Sequence, residues 1–139
     1  MAAHDAELFE PETLADWARW LAEHHADRVG VWLVTAKRST GRQPFDYDAA
    51  VCEALRYGWI DAVQRTLDPE RSMQYYAPRR PTSGWSRPNK VRIERLEREG
   101  LLEPPGRSVH SATEEFVEAV RAGRASAVRR PTVSGREHR

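Results

Sequence analysis

"DYDAAVCEALRYGWIDAVQRTLDPERSMQYYAP", residues 46–78, decides how the rest of the chain is read. Its first part repeats apolar side chains every three or four positions, at Tyr47, Ala50, Val51, Ala54 and Leu55, which predicts the buried stripe of a helix. Asp46 stands at the N-cap, where a carboxylate accepts a bond from an amide of the first turn. Gly58 stands where a left-handed residue closes the C-terminus, a backbone that only glycine adopts without a Cβ clash. The period then changes. "WIDAVQRTL" and "SMQYYAP" flank "DPER", an Asp-Pro turn signal, and together they predict a β-hairpin that Pro78 terminates.

Upstream, "PETLADWARWLAEHH" places Leu14, Trp17, Leu21 and His24 on one helical face, with Thr13 and Asp16 in capping-box spacing. "VGVWLVTAKR" is too short for another helix and too apolar for a loop, so it predicts an inner strand covered on both faces. Downstream, "PNKVRIERLEREG" follows a natural N-cap at Ser86, tolerates Pro88 in its first turn and offers a Glu94–Arg98 pair one turn apart. "LLEPPG" predicts a break, and "SATE" at 111–114 predicts the capping box of a short last helix carrying Phe116, Val117 and Val120. These elements predict an α+β fold of three to four helices packed on a small, mostly antiparallel sheet of about three strands. Residues 1–122 are expected to form one domain, and 123–139, without an apolar period, a disordered basic tail.

Composition excludes several functions. Cys52 is the only thiol, so no internal disulfide and no cysteine metal cluster can form. No apolar run approaches the roughly 20 residues a bilayer span needs, so no membrane insertion is expected. The start lacks a basic and apolar leader, which predicts a cytoplasmic protein. There is neither a phosphate-cradling glycine loop nor a dinucleotide fingerprint, so no cofactor is expected. His24 and His25 are adjacent on a helix and point apart, while His4, His110 and His138 are expected in loose segments, so no metal site is predicted. Cys52, inside a helix with no base beside it, reads as a small core residue.

Charge is unevenly placed. Residues 1–30 carry seven acids against two arginines, whereas residues 71–98 carry eight bases against two glutamates. Either the basic block gathers anions or the two blocks pack together and neutralise. Nucleic acid is disfavoured as a partner, because the bases at 87, 90, 92, 95 and 98 spread around their helix with glutamates between them.

The densest stretch is "YYAPRRPTSGWSRPNK", residues 75–90. With "AVCEALRYGWIDA" before it, this stretch resembles the YdeI/OmpD-associated family, the OmdA-like bacteriocin-protection proteins. The resemblance runs over roughly residues 14 to 106. It is carried by Gly58, Trp59, Ile60 and Asp61, then by Tyr76, Pro78, Arg79, Pro81, Ser83, Trp85, Ser86 and Asn89. Pro88 departs from the pattern, and Ala125 stands where the family's last helix carries tryptophan. The resemblance implies a non-enzymatic stress or envelope-protection role and no agreed reaction.

The chemistry of the loop points to an anionic group on a small molecule or protein partner. Arg79 and Arg80 are planar donors suited to phosphate or carboxylate. Tyr76 and Trp85 supply flat surfaces for stacking. Ser86, Asn89 and Lys90 lie at a helix start, where amides and dipole favour negative charge. The competing reading is structural: Trp85 fills a gap, Ser86 only caps, and Arg79 pairs with Asp61. Asp61 is also the one candidate general base, which leaves open a small enzyme using Asp61 with Arg79 and the Ser86 helix start as an anion site. Single-stranded nucleic-acid binding is the third reading.

Overall fold

The computed structural model describes residues 7–83 and 86–124. In chain order these form β1 (Leu8–Phe9), α1 (Leu14–His24), β2 (Val31–Ala36), α2 (Tyr47–Arg56), β3 (Trp59–Asp68), β4 (Arg71–Pro78), α3 (Arg87–Arg98) and α4 (Pro104–Arg121), with single 3-10 turns at Arg38–Thr40 and Pro81–Ser83. The fold is α+β. Its sheet has four strands in the order β1-β2-β4-β3, with β1 parallel to β2 and the other pairs antiparallel. The extra strand, β1, is two residues long and too short to leave any period in the sequence.

Local chemistry sets most of the boundaries. Thr13 Oγ1 accepts from the Asp16 amide at 3.1 Å while Asp16 Oδ2 accepts from the Thr13 amide at 3.2 Å, a complete capping box on α1. Asp46 Oδ1 accepts from the Ala49 amide at 2.8 Å to open α2, and Ser86 Oγ accepts from the Asn89 amide at 3.3 Å to open α3. Gly58 closes α2 with φ of 80°. Asp68 Oδ1 binds the amides of Glu70 and Arg71 at 2.9 and 2.8 Å, which fixes the hairpin turn between β3 and β4. On α3 the one-turn ion pair is Lys90–Glu94 at 3.8 Å, one turn upstream of the expected Glu94–Arg98.

One boundary differs from the sequence expectation. The break falls within "LLEPPG", at 101–103, but the helix starts again at once: in place of a capping box at "SATE" there is a single 18-residue helix, α4, from Pro104. Pro104 and Pro105 fit its first turn because the amides there have no helical partner in any case. Gly106 follows because α4 presses against the end of α2: a methyl group at that position would collide with the Arg56 carbonyl oxygen. Ser111 therefore lies in mid-helix and caps nothing, and His110 is on the same helix, beside Glu97 at 3.2 Å. The tail expectation falls almost wholly outside the described residues, which end at Arg124, as do His4 and His138.

The core lies between the helices and one face of the sheet. Trp17, Trp20 and Leu21 of α1, Ala50, Val51, Ala54 and Leu55 of α2, and Ile93 and Leu96 of α3 bury against Val31, Leu33, Trp59 and Tyr76. Trp17 Nε1 donates to the Ala50 carbonyl at 3.0 Å, so the large ring is buried without stranding its polar atom. Cys52 joins this core, and burial pushes its thiol up in pKa, away from nucleophilic reactivity. Tyr47, expected in the buried stripe, is instead 46% exposed, because it sits in the first turn of α2, where the helix leaves the core. β2 is an inner strand, as expected, with Val31, Trp32, Leu33 and Val34 all buried.

Candidate functional site

The hairpin register aligns three strands on the helix-facing side of the sheet. Tyr76, Gln74 and Ser72 of β4 pair with Val31, Leu33 and Thr35 of β2, and with Asp61, Gln64 and Thr66 of β3. Cross-strand partners share a face, so that face runs from apolar at the Val31–Tyr76 end to polar at the Thr35–Ser72 end. An irregularity in the β3–β4 pairing between Asp61 and Val63 keeps Asp61 opposite Tyr76 and Gln64 opposite Gln74.

Where the face turns polar, α2 and the segment before it leave a cleft of about 150 Å³. Its floor is Leu33, Ala50 and Tyr76; its walls are Thr35, Gln64, Ser72 and Gln74 from the strands, with Gln43, Phe45, Asp46 and Tyr47 from the entry to α2. Asp61 adjoins it: the carboxylate Oδ2 accepts from Tyr47 Oη at 2.8 Å and from Gln74 Nε2 at 3.0 Å. The guanidinium of Arg92 lies over the Tyr47 ring at 5.5 Å and is itself tied to Asp48 at 2.6 Å.

Tyr76 is the unusual member. It is wholly buried and packs edge-on against Trp17 at 5.1 Å, yet its hydroxyl has no hydrogen-bond partner among the described residues. Buried hydroxyls nearly always find one. Burial first, then the negative charge of Asp61, raises the Tyr76 pKa well above the ordinary phenol range, so the group stays protonated and remains a donor.

The remaining residues singled out from sequence are distributed differently. Arg79 is turned inward, 7% exposed, with Nη1 donating to Thr113 Oγ1 of α4 at 2.7 Å. The expected Arg79–Asp61 pair is not formed, since Asp61 is taken by Tyr47 and Gln74. Arg80 is exposed, and Lys90 is exposed beside Glu94. Asn89 Oδ1 accepts from Arg92 Nη1 at 2.7 Å. Ser86 caps α3, Trp59 is buried with Nε1 donating to the His25 carbonyl at 3.3 Å, and Trp85 lies outside the described residues. Among the described sequence candidates, then, only Tyr76 and Asp61 meet at the cleft. The sequence reading passed over Tyr47, Gln74, Gln64, Gln43, Thr35 and Ser72. One signal was present: Ser72, Gln74 and Tyr76 alternate along one side of a strand, two polar residues leading to an aromatic one.

Arg71 of the basic block reaches Glu10 at 2.6 Å, so the two charge blocks meet at least there. Among the described residues no group of three or more His, Cys, Asp or Glu is placed to hold a metal ion, and no helix is long and apolar enough to cross a membrane.

Fold and cleft define an α+β domain with four helices on a four-stranded mixed sheet, indented at the polar end of the sheet. The chain belongs to the family described as a domain of unknown function, DUF8412, whose family model matches residues 9–109 and so includes every residue that lines the cleft. No curated protein and no solved structure matches the chain.

Proposed function

We propose that this chain is a non-enzymatic binding domain that takes a small molecule into the cleft between the start of α2 and the polar end of the sheet. The observation that carries the reading is the buried Tyr76 hydroxyl, a donor without a partner among the described residues, in a residue that lines a polar cleft. A group left unsatisfied in the resting protein costs stability, and natural chains keep such costs chiefly at working sites. The motif resemblance to the YdeI/OmpD-associated proteins adds a protective role as the physiological setting of this recognition.

A fragment library screened by thermal shift against the wild type and Gln74→Leu tests the reading. A fragment at a hundred times its dissociation constant stabilises by about 2.7 kcal/mol, or about 9 °C for 139 residues. The expected result is a set of stabilising fragments that lose their effect in Gln74→Leu. A library that never distinguishes the two proteins refutes it.

A second reading keeps the anionic partner at the outer part of the 75–90 loop. It is favoured by Arg80, which projects into solvent while Arg79 does not. Its test is Arg80→Ala: loss of phosphate or carboxylate binding in a variant of unchanged stability supports it. The enzymatic reading is favoured by the two donors that hold Asp61 at the cleft, and it requires that Asp61→Asn abolish a turnover while leaving binding intact.

A further inference from the structure

We infer that the ligand of this cleft is a neutral, single-ring molecule that presents a carbonyl oxygen beside an N–H, a cyclic amide or ureide; the inference rests on the binding role proposed above. Charge decides the first part. Among the described residues no arginine or lysine lines the cleft, the Arg92 guanidinium over Tyr47 is already tied to Asp48, and Asp46 lines the cleft while Asp61 adjoins it, so an anion meets repulsion that no lining cation offsets. A cation fails for a different reason. The orphan group is a phenol O–H: an ammonium or guanidinium can donate to its oxygen but has no acceptor for its proton, so a cation answers only half of it. One oxygen of each nearby carboxylate is also engaged: Asp61 Oδ2 by Tyr47 and Gln74, and Asp46 Oδ1 by the Ala49 amide.

The walls decide the second part. Gln43, Gln64 and Gln74 each carry a carbonyl and an NH₂, the pattern that reads a C=O/N–H edge. A carbonyl on the ligand answers Tyr76, and its N–H answers a glutamine oxygen. Size decides the third. A cavity near 150 Å³ accommodates about one six-membered ring. The Tyr76 hydroxyl is closed to water in the resting protein, so side chains lining the cleft must give way for the carbonyl to reach it.

The experiment is an amide-resolved NMR titration of the full chain with four one-ring probes: uracil and 2-piperidone for the proposed class, benzoate for anions, benzamidine for cations. The expected result is saturable shifts at Gln64, Gln74 and Tyr76 with uracil or 2-piperidone and none there with the charged rings. Tyr76→Phe, which removes a hydroxyl holding no bond and therefore still folds, weakens that binding about tenfold. Benzoate or benzamidine saturating the cleft, with the neutral rings silent, overturns the ligand class and leaves the binding role standing. Equal affinity of the neutral rings for wild type and Tyr76→Phe overturns the part given to Tyr76. No probe of any class moving the cleft resonances at millimolar concentration overturns both.

Discussion

Replacing Tyr76 with phenylalanine should stabilise the protein, the reverse of what a buried Tyr→Phe change usually does. Where a buried tyrosine hydroxyl has a partner, its removal typically costs about 1 kcal/mol. Here the residue is wholly buried, and its hydroxyl has no partner among the described residues. The native state therefore carries the desolvation of an unbonded hydroxyl, of the order of 1–3 kcal/mol. The ring itself stays packed against Trp17, and the void left by one oxygen returns part of the gain. A net stabilisation of about 1 kcal/mol corresponds to about 3 °C in Tm for 139 residues. Urea unfolding with the m-value unchanged measures it directly. Alkaline pH supplies an independent check. The folded-state pKa of Tyr76 is raised, so above the ordinary value near 10 the unfolded chain releases a proton that the folded chain retains. Stability conferred by the neutral phenol is thus intact below pH about 10 and lost above it, at up to about 1.4 kcal/mol per pH unit. Tyr76→Phe lacks this contribution, and its decline above pH 10 is shallower by that slope. A variant destabilised by about 1 kcal/mol would show that the hydroxyl is satisfied and remove the central argument for the cleft, and a decline parallel to the wild type at high pH would show that the hydroxyl is not held away from water.

Three further substitutions test the frame around it. Gly106→Ala would gain up to about 1 kcal/mol in an ordinary helix interior; against the Arg56 carbonyl it should lose about 1–3 kcal/mol, so the sign of the change in a denaturant melt reports whether α4 seats on α2. Arg79→Ala removes an inward guanidinium bonded to Thr113 and leaves a cavity; a loss of about 2–4 kcal/mol is expected, and a loss under 0.5 kcal/mol would show that the loop does not depend on α4. Ser86→Ala should cost about 1 kcal/mol by uncapping α3, while Ser86→Gly costs only a few tenths; an equal loss in both would assign Ser86 a role other than capping.

Part of the site was legible before any coordinates, and part was not. Asp61 and Tyr76 stand out in sequence because a carboxylate after a glycine stop and a tyrosine inside a strand are conspicuous types in conspicuous places. Arg79 stood out for the same reason, and its inward course was hidden because its partner, Thr113, is 34 residues away on a helix whose start was misplaced. Gln43, Gln64 and Gln74 are ordinary polar residues singly. Only their arrival around one opening makes them notable, and that arrival depends on the register of β3 on β4 and of β4 on β2.

The division follows the range of the forces involved. Caps at Thr13, Asp46 and Ser86, the left-handed stop at Gly58 and the turn at Asp68 each join atoms within four residues, so the sequence alone determined where three helices begin, where α2 ends and where the hairpin turns. Three things belonged to the tertiary structure. β1 is a strand because β2 offers it an edge, α4 begins at Pro104 because the end of α2 receives Gly106, and the cleft exists because α2 leaves the polar end of the sheet uncovered. Each of these is a contact between segments distant in the chain, and its free energy is realised only once both surfaces are in place.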